Sequence, residues 1–106
     1  MNIDFATQGG RTVITPRLER LDAAVAQAFK DQCVAQVDSH HLVFDLSEVK
    51  FVDSTGLGAL VAVLKHLGED GKLSVVSTTP GILMLLQVTR LDSIFSVFPS
   101  LEQALQ

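Results

Sequence analysis

Apolar and polar residues recur along this chain in two periods, and the switches between them divide it into elements. Ile3 to Ala6 and Thr12 to Leu18 read as strands around the turn residues Gln8-Gly9-Gly10, the signature of a hairpin. From Asp22 to Val37 the period becomes helical: Leu21, Val25, Phe29, Cys33 and Val37 recur at every fourth position. His41 to Leu46 alternates again, with Leu42, Phe44 and Leu46 on one side and His41, Val43 and Asp45 on the other. A second helix is predicted from Thr55 to Leu67, its buried stripe formed by Leu57, Leu60, Val61, Leu64 and Leu67. Gly68 stops it and Gly71 turns the chain. Leu73 to Ser77 is a strand, Thr79 and Pro80 occupy cap and first-turn positions of a third helix, Ile94 to Phe98 is extended, and Ser100 to Leu105 is a short last helix.

Past the hairpin the order is βαβαβαβ, which demands parallel strands joined by crossovers. The alternation in His41–Leu46 predicts one sheet face better covered than the other. The predicted fold class is therefore α/β: one domain over residues 1–106, with a mixed, mostly parallel sheet of four to five strands and about four helices mainly on one face. On the third helix, Ile82, Leu85 and Leu86 should face the sheet, and Leu83, Met84 and Gln87 the opposite way. Two large apolar side chains pointing outward predict a contact, with a partner or in a weak homodimer.

Composition narrows the function. A chain of 106 residues, 47% apolar, is long enough for one domain with a real core. Its net charge is −4, its basic residues are scattered, and it has neither Trp nor Tyr, so it offers nucleic acid neither a basic stripe nor a stacking platform. Cys33 is alone, which excludes an internal disulfide, points to a reducing compartment and fits a buried small hydrophobe. No apolar run approaches the ~20 residues that span a bilayer, and Met1-Asn2-Ile3-Asp4-Phe5 does not read as a signal peptide. A cytoplasmic protein with no membrane contact is expected.

Catalytic chemistry finds little to stand on. His40, His41 and His66 have no spacing that places two metal ligands on one helix face. Gly56-Leu57-Gly58 lacks the third glycine of a dinucleotide fingerprint, and no Gly-Lys-Ser/Thr occurs, so no cofactor is expected. A serine hydrolase would need a base beside Ser54, but His66 lies about 18 Å away by helical rise alone. A receiver-like phosphoaspartate site would need clustered carboxylates to hold Mg²⁺, and only Asp4 comes early in the chain. The chain is not expected to be an enzyme.

The run Lys50 to Leu60 carries more. A short extended piece, Phe51-Val52, leads into Asp53-Ser54-Thr55, and Gly56 and Gly58 then flank Leu57 at the start of the second helix. Ser54 or Thr55 sits where a helix N-cap belongs. The glycines, poor helix formers by about 1 kcal/mol, leave a helix start with little side-chain bulk, open to close approach by another surface. Parallel α/β sheets gather functional loops at the carboxyl ends of their strands. Leu18–Asp22, Ser47–Thr55 and Ser77–Pro80 should therefore lie side by side with Ser54 central.

These residues carry a resemblance. Leu42-Val43-Phe44-Asp45-Leu46-Ser47 followed by Asp53-Ser54-Thr55-Gly56-Leu57-Gly58 resembles the STAS-domain family of anti-sigma factor antagonists. The likeness extends to Leu21-Asp22-Ala23-Ala24, Gly71-Lys72 and Ser77-Thr78-Thr79-Pro80. It implies that Ser54 is phosphorylated by a GHKL-type serine kinase that doubles as the anti-sigma factor, and that a PP2C-type phosphatase reverses the mark. It also implies that Asp22 helps to engage the kinase. The partner surface expected from it comprises Asp22, Asp53, Ser54, Thr55, Gly56, Leu57 and Gly58. Glu19 stands where the family usually has glycine, so the shape of the Leu18–Asp22 loop is not carried over. The alternative within the same family is a non-switching scaffold subunit of a larger complex such as a transport system, a role that does not require a phosphorylatable residue at position 54.

Overall fold

The computed structural model describes residues 1–37 and 39–106. Strands β1 (Ile3–Gln8) and β2 (Arg11–Pro16) form the expected hairpin. Gly9 and Gly10 both take left-handed backbone angles, φ 59° and 76°, as a two-residue turn matched to strand twist requires. There follow β3 (Arg20–Leu21), α1 (Ala26–Gln36), β4 (His41–Asp45), β5 (Phe51–Val52), α2 (Ser54–Leu67), β6 (Lys72–Val76), α3 (Pro80–Val88), a 3₁₀ turn at Leu91–Ser93, β7 (Ser96–Phe98) and α4 (Leu101–Ala104). Five strands form the main sheet in the order β1-β2-β4-β6-β7, antiparallel only at β1–β2. The α/β class and the mixed, mostly parallel sheet are as expected.

Period-two alternation assigns the two faces. Ile14, Leu42, Phe44, Leu73 and Val75 look toward α1, α2 and α3 and join the larger core with Phe29, Cys33, Leu60 and Leu86. Val13, Val43 and Val76 look the other way, where Ala104 of α4 covers them. Val43, expected on the thinly covered side, is thus fully buried. At about 0.8 kcal/mol per buried CH₂, even this single-turn helix contributes usefully. Cys33 lies within the larger core, and burial pushes its thiol up to about 12.

Several boundaries differ from those expected, each for a local reason. The helix predicted from Asp22 begins at Ala26, because Ala23 and Ala24 direct their amides to carboxylates and form a turn first. The buried stripe of α2 includes Ala59 and Val63, while Val61 and Leu64 are half-buried at its edge. On α3, Ile82 and Leu86 are buried, but Leu85 is only half-buried. Leu83 lies in a depression with Leu86 and Val97 and is half-buried too, so the outward pair reduces to Met84, with Val88 also exposed.

Candidate functional site

The sequence signals converge on β3 and β5, a two-stranded parallel sheet separate from the main one. Arg20 pairs with Phe51 and Leu21 with Val52. The Glu19 carbonyl accepts from the amides of Lys50 and Phe51 at 2.8 and 3.2 Å. Glu19 has no left-handed backbone: among described residues other than glycine, Arg90 alone has positive φ. The absence of glycine at position 19 therefore costs no strain. The Arg20 guanidinium lies over the Phe51 ring, 4.2 Å from its centre, and closes the outside of this ribbon.

The helix α2 starts from the end of the ribbon, and Asp53, not Ser54 or Thr55, is its N-cap. Its Oδ1 accepts from the Gly56 amide at 2.8 Å, one of the amides left orphaned at a helix start. Oδ2 accepts from the Ala23 amide at 3.2 Å, and the Asp53 amide itself donates to the Leu21 carbonyl at 3.3 Å. One carboxylate thus fastens the loop before α1 to the first turn of α2. Asp22 is used in a similar local way: Oδ1 accepts from Ala24 N and Oδ2 from Arg20 Nε. Sequence reasoning missed the bridging role of Asp53, although Asp ranks with Ser as a cap and stands one residue earlier.

Because Asp53 supplies the cap, the Ser54 hydroxyl is not consumed by it. Ser54 and Thr55 are both exposed at the first turn. Gly58 is exposed as well, with open space where a Cβ would stand. It borders a shallow cavity of about 260 Å³ between α1 and α2 with Thr55, Ala23 and Gln27. Gly56 and Leu57 face the other way. A Cβ at Gly56 would overlap the Leu21 carbonyl oxygen and stand 2.9 Å from its carbon, and Leu57 is 5% exposed. The expectation that these two belong to an open surface is corrected: Gly56 lets the helix close on Leu21 of β3, and Leu57 joins the larger core. The third loop arrives where expected: Thr79 holds the N-cap position of α3 as predicted, but its Oγ1 donates to the Val49 carbonyl at 3.5 Å and makes no capping bond.

This geometry has known counterparts. The sequence profile of the STAS domain matches residues 2–104. The chain belongs to the STAS domain family. Among curated STAS relatives is the anti-sigma F factor antagonist of Paenibacillus polymyxa, 26% identical over 99% of this chain and 94% of its own. The anti-sigma-F factor antagonist RsfB of Mycobacterium tuberculosis is 32% identical over 80% of this chain and 65% of its own. The crystal structure of an anti-sigma factor antagonist from Mycobacterium paratuberculosis superposes with a TM-score of 0.88 at 30% identity, over 98% of this chain and 90% of that one. No helix among the described residues is long and apolar enough to cross a membrane.

Proposed function

We propose that this STAS chain is a cytoplasmic, phosphorylation-switched anti-sigma factor antagonist. Its unmodified form binds a GHKL-type serine kinase that serves as the anti-sigma factor, phosphate on Ser54 ends that binding, and a PP2C-type phosphatase restores it. The observation that carries this reading is an exposed serine at a helix start whose capping is done by another residue. Modification of Ser54 therefore costs the fold no hydrogen bond.

The switch follows from charge. Phosphate adds about −1.5 to −2 charges at neutral pH, beside the Asp53 carboxylate. In the free protein that charge stays hydrated and is favoured by the helix dipole. Against a docked partner it would have to be desolvated, an expensive step for an unmatched dianion. The contact surface consists of Asp22, Asp53, Ser54, Thr55 and Gly58, with Gly58 permitting close approach.

The test is incubation with the kinase and ATP, followed by mapping of the phosphate by mass spectrometry. Incorporation is expected on Ser54 and not on Thr55. Full incorporation into Ser54→Ala would overturn the assignment.

A further inference from the structure

At the end of the sheet opposite Ser54, three basic side chains stand in a row. Arg11 opens β2, His41 opens β4 and Lys72 opens β6. The register pairs His41 with Lys72, and Thr12 with Leu42, which puts Arg11 beside His41. With strands about 4.8 Å apart, the row spans roughly 10 Å. All three line one open cavity of about 420 Å³, which the hydroxyl residues Ser74 and Ser96 also line. No Asp or Glu is among its described lining residues.

Like charges on neighbouring strands are destabilising, so a row with no acidic side chain among the described residues lining its cavity is a cost to the fold. Arg11 has a structural return, since its Nη1 and Nη2 donate to the carbonyls of Leu105 and Gln106 at 2.7 and 3.4 Å and hold the end of α4. Lys72 is exposed and makes no ion pair among the described residues. His41 feels both neighbours: burial first, then Arg11, then Lys72 holds its pKa below the ordinary value. Ile94, 56% exposed, and Phe98 give the cavity an apolar rim.

We propose that this cavity is a site for a phosphate-type oxyanion, free or carried as a monoester on a small organic body. Lys72 and Arg11 supply charge, His41 is the central donor, and Ile94 and Phe98 meet an organic body where there is one. The site is independent of the Ser54 switch, and its test makes no use of the kinase.

The experiment is NMR on the full chain, titrated at fixed pH with inorganic phosphate, with phenyl phosphate, and with sodium chloride at matched ionic strength. Phosphate should move the His41 ring and the amides around Arg11, His41 and Lys72 saturably, and chloride should not. Phenyl phosphate should add shifts at Ile94 and Phe98 if the natural ligand is a monoester, and none if it is the free ion. A fixed-charge anion, sulfate, should raise the His41 pKa, because a bound anion favours the imidazolium. Lys72→Gln removes an exposed side chain outside the core and should weaken phosphate binding by about threefold or more. An equal response to chloride, or unchanged phosphate affinity in Lys72→Gln, would overturn the site.

Discussion

The inner and outer sides of the first turns of α2 use the same residue type for opposite ends. Gly56 and Gly58 are two positions apart, about 200° around a helix, so they cannot share a side. Gly56 meets the backbone of Leu21, and its missing side chain lets helix and ribbon touch. Gly58 meets nothing, and its missing side chain leaves a smooth patch beside Thr55 and Ala23. Asp53 sits on the boundary and joins the two sides through its carboxylate. A glycine-rich helix start is thus two devices laid over one another, a tight joint inside and a clear surface outside.

The strongest way to break this contrast is Gly56→Ala. Its methyl would collide with backbone, which cannot swing aside as a side chain can, so a loss of about 1–3 kcal/mol or more is expected from overpacking. Chemical denaturation would measure it, and a midpoint close to that of the parent protein would show that the joint is loose. Asp53→Ala comes next, with about 1–2 kcal/mol lost as the cap disappears. Faster amide exchange at both Ala23 and Gly56 should accompany it. Protection lost at Gly56 alone would mean that the carboxylate does not couple the two loops. The smallest effect on stability should come from Gly58→Ala, a gain of up to about 1 kcal/mol from helix propensity on an open face. On the proposed function the same methyl weakens kinase binding, read by titration calorimetry. A lower melting temperature for this variant would place Gly58 inside, and the contrast would fall.

Much of this architecture was legible in the chain because it rests on periodicity. The alternation of His41–Leu46 and the fourfold recurrence from Leu21 to Val37 report which atoms leave water, and burial dominates the energetics. What escaped depends on tertiary neighbours. Phe51–Val52 could be read as a short extended piece, but its partner β3 and their pairing could not, because two-residue strands show no period and exist through backbone bonds from Glu19, Leu21 and Asp53. The inward role of Gly56 depends on where the Leu21 carbonyl lies, which no local pattern records. Val43 is buried because α4 folds back over it, a contact between residues about sixty positions apart. At the site itself, Ser54 and Asp22 could be picked out by resemblance, whereas the division of labour that leaves Ser54 free and Asp53 engaged is geometric.

Cys33 turns the buried side of α1 into a chemical meter. Its folded thiol titrates near 12 against an ordinary 9.0, so the unfolded chain releases this proton first as the solution is made alkaline. The stability it contributes is fully present below pH 9.0 and drains away toward pH 12, with a slope of about 1.4 kcal/mol per pH unit between them. Thiol reagents attack the thiolate and need access, so at neutral pH only molecules that have opened can be labelled. The labelling rate therefore counts how often the core comes apart. A phosphate on Ser54 that acts purely at the surface should leave that count unchanged, while any variant that loosens the joint at Gly56 should raise it.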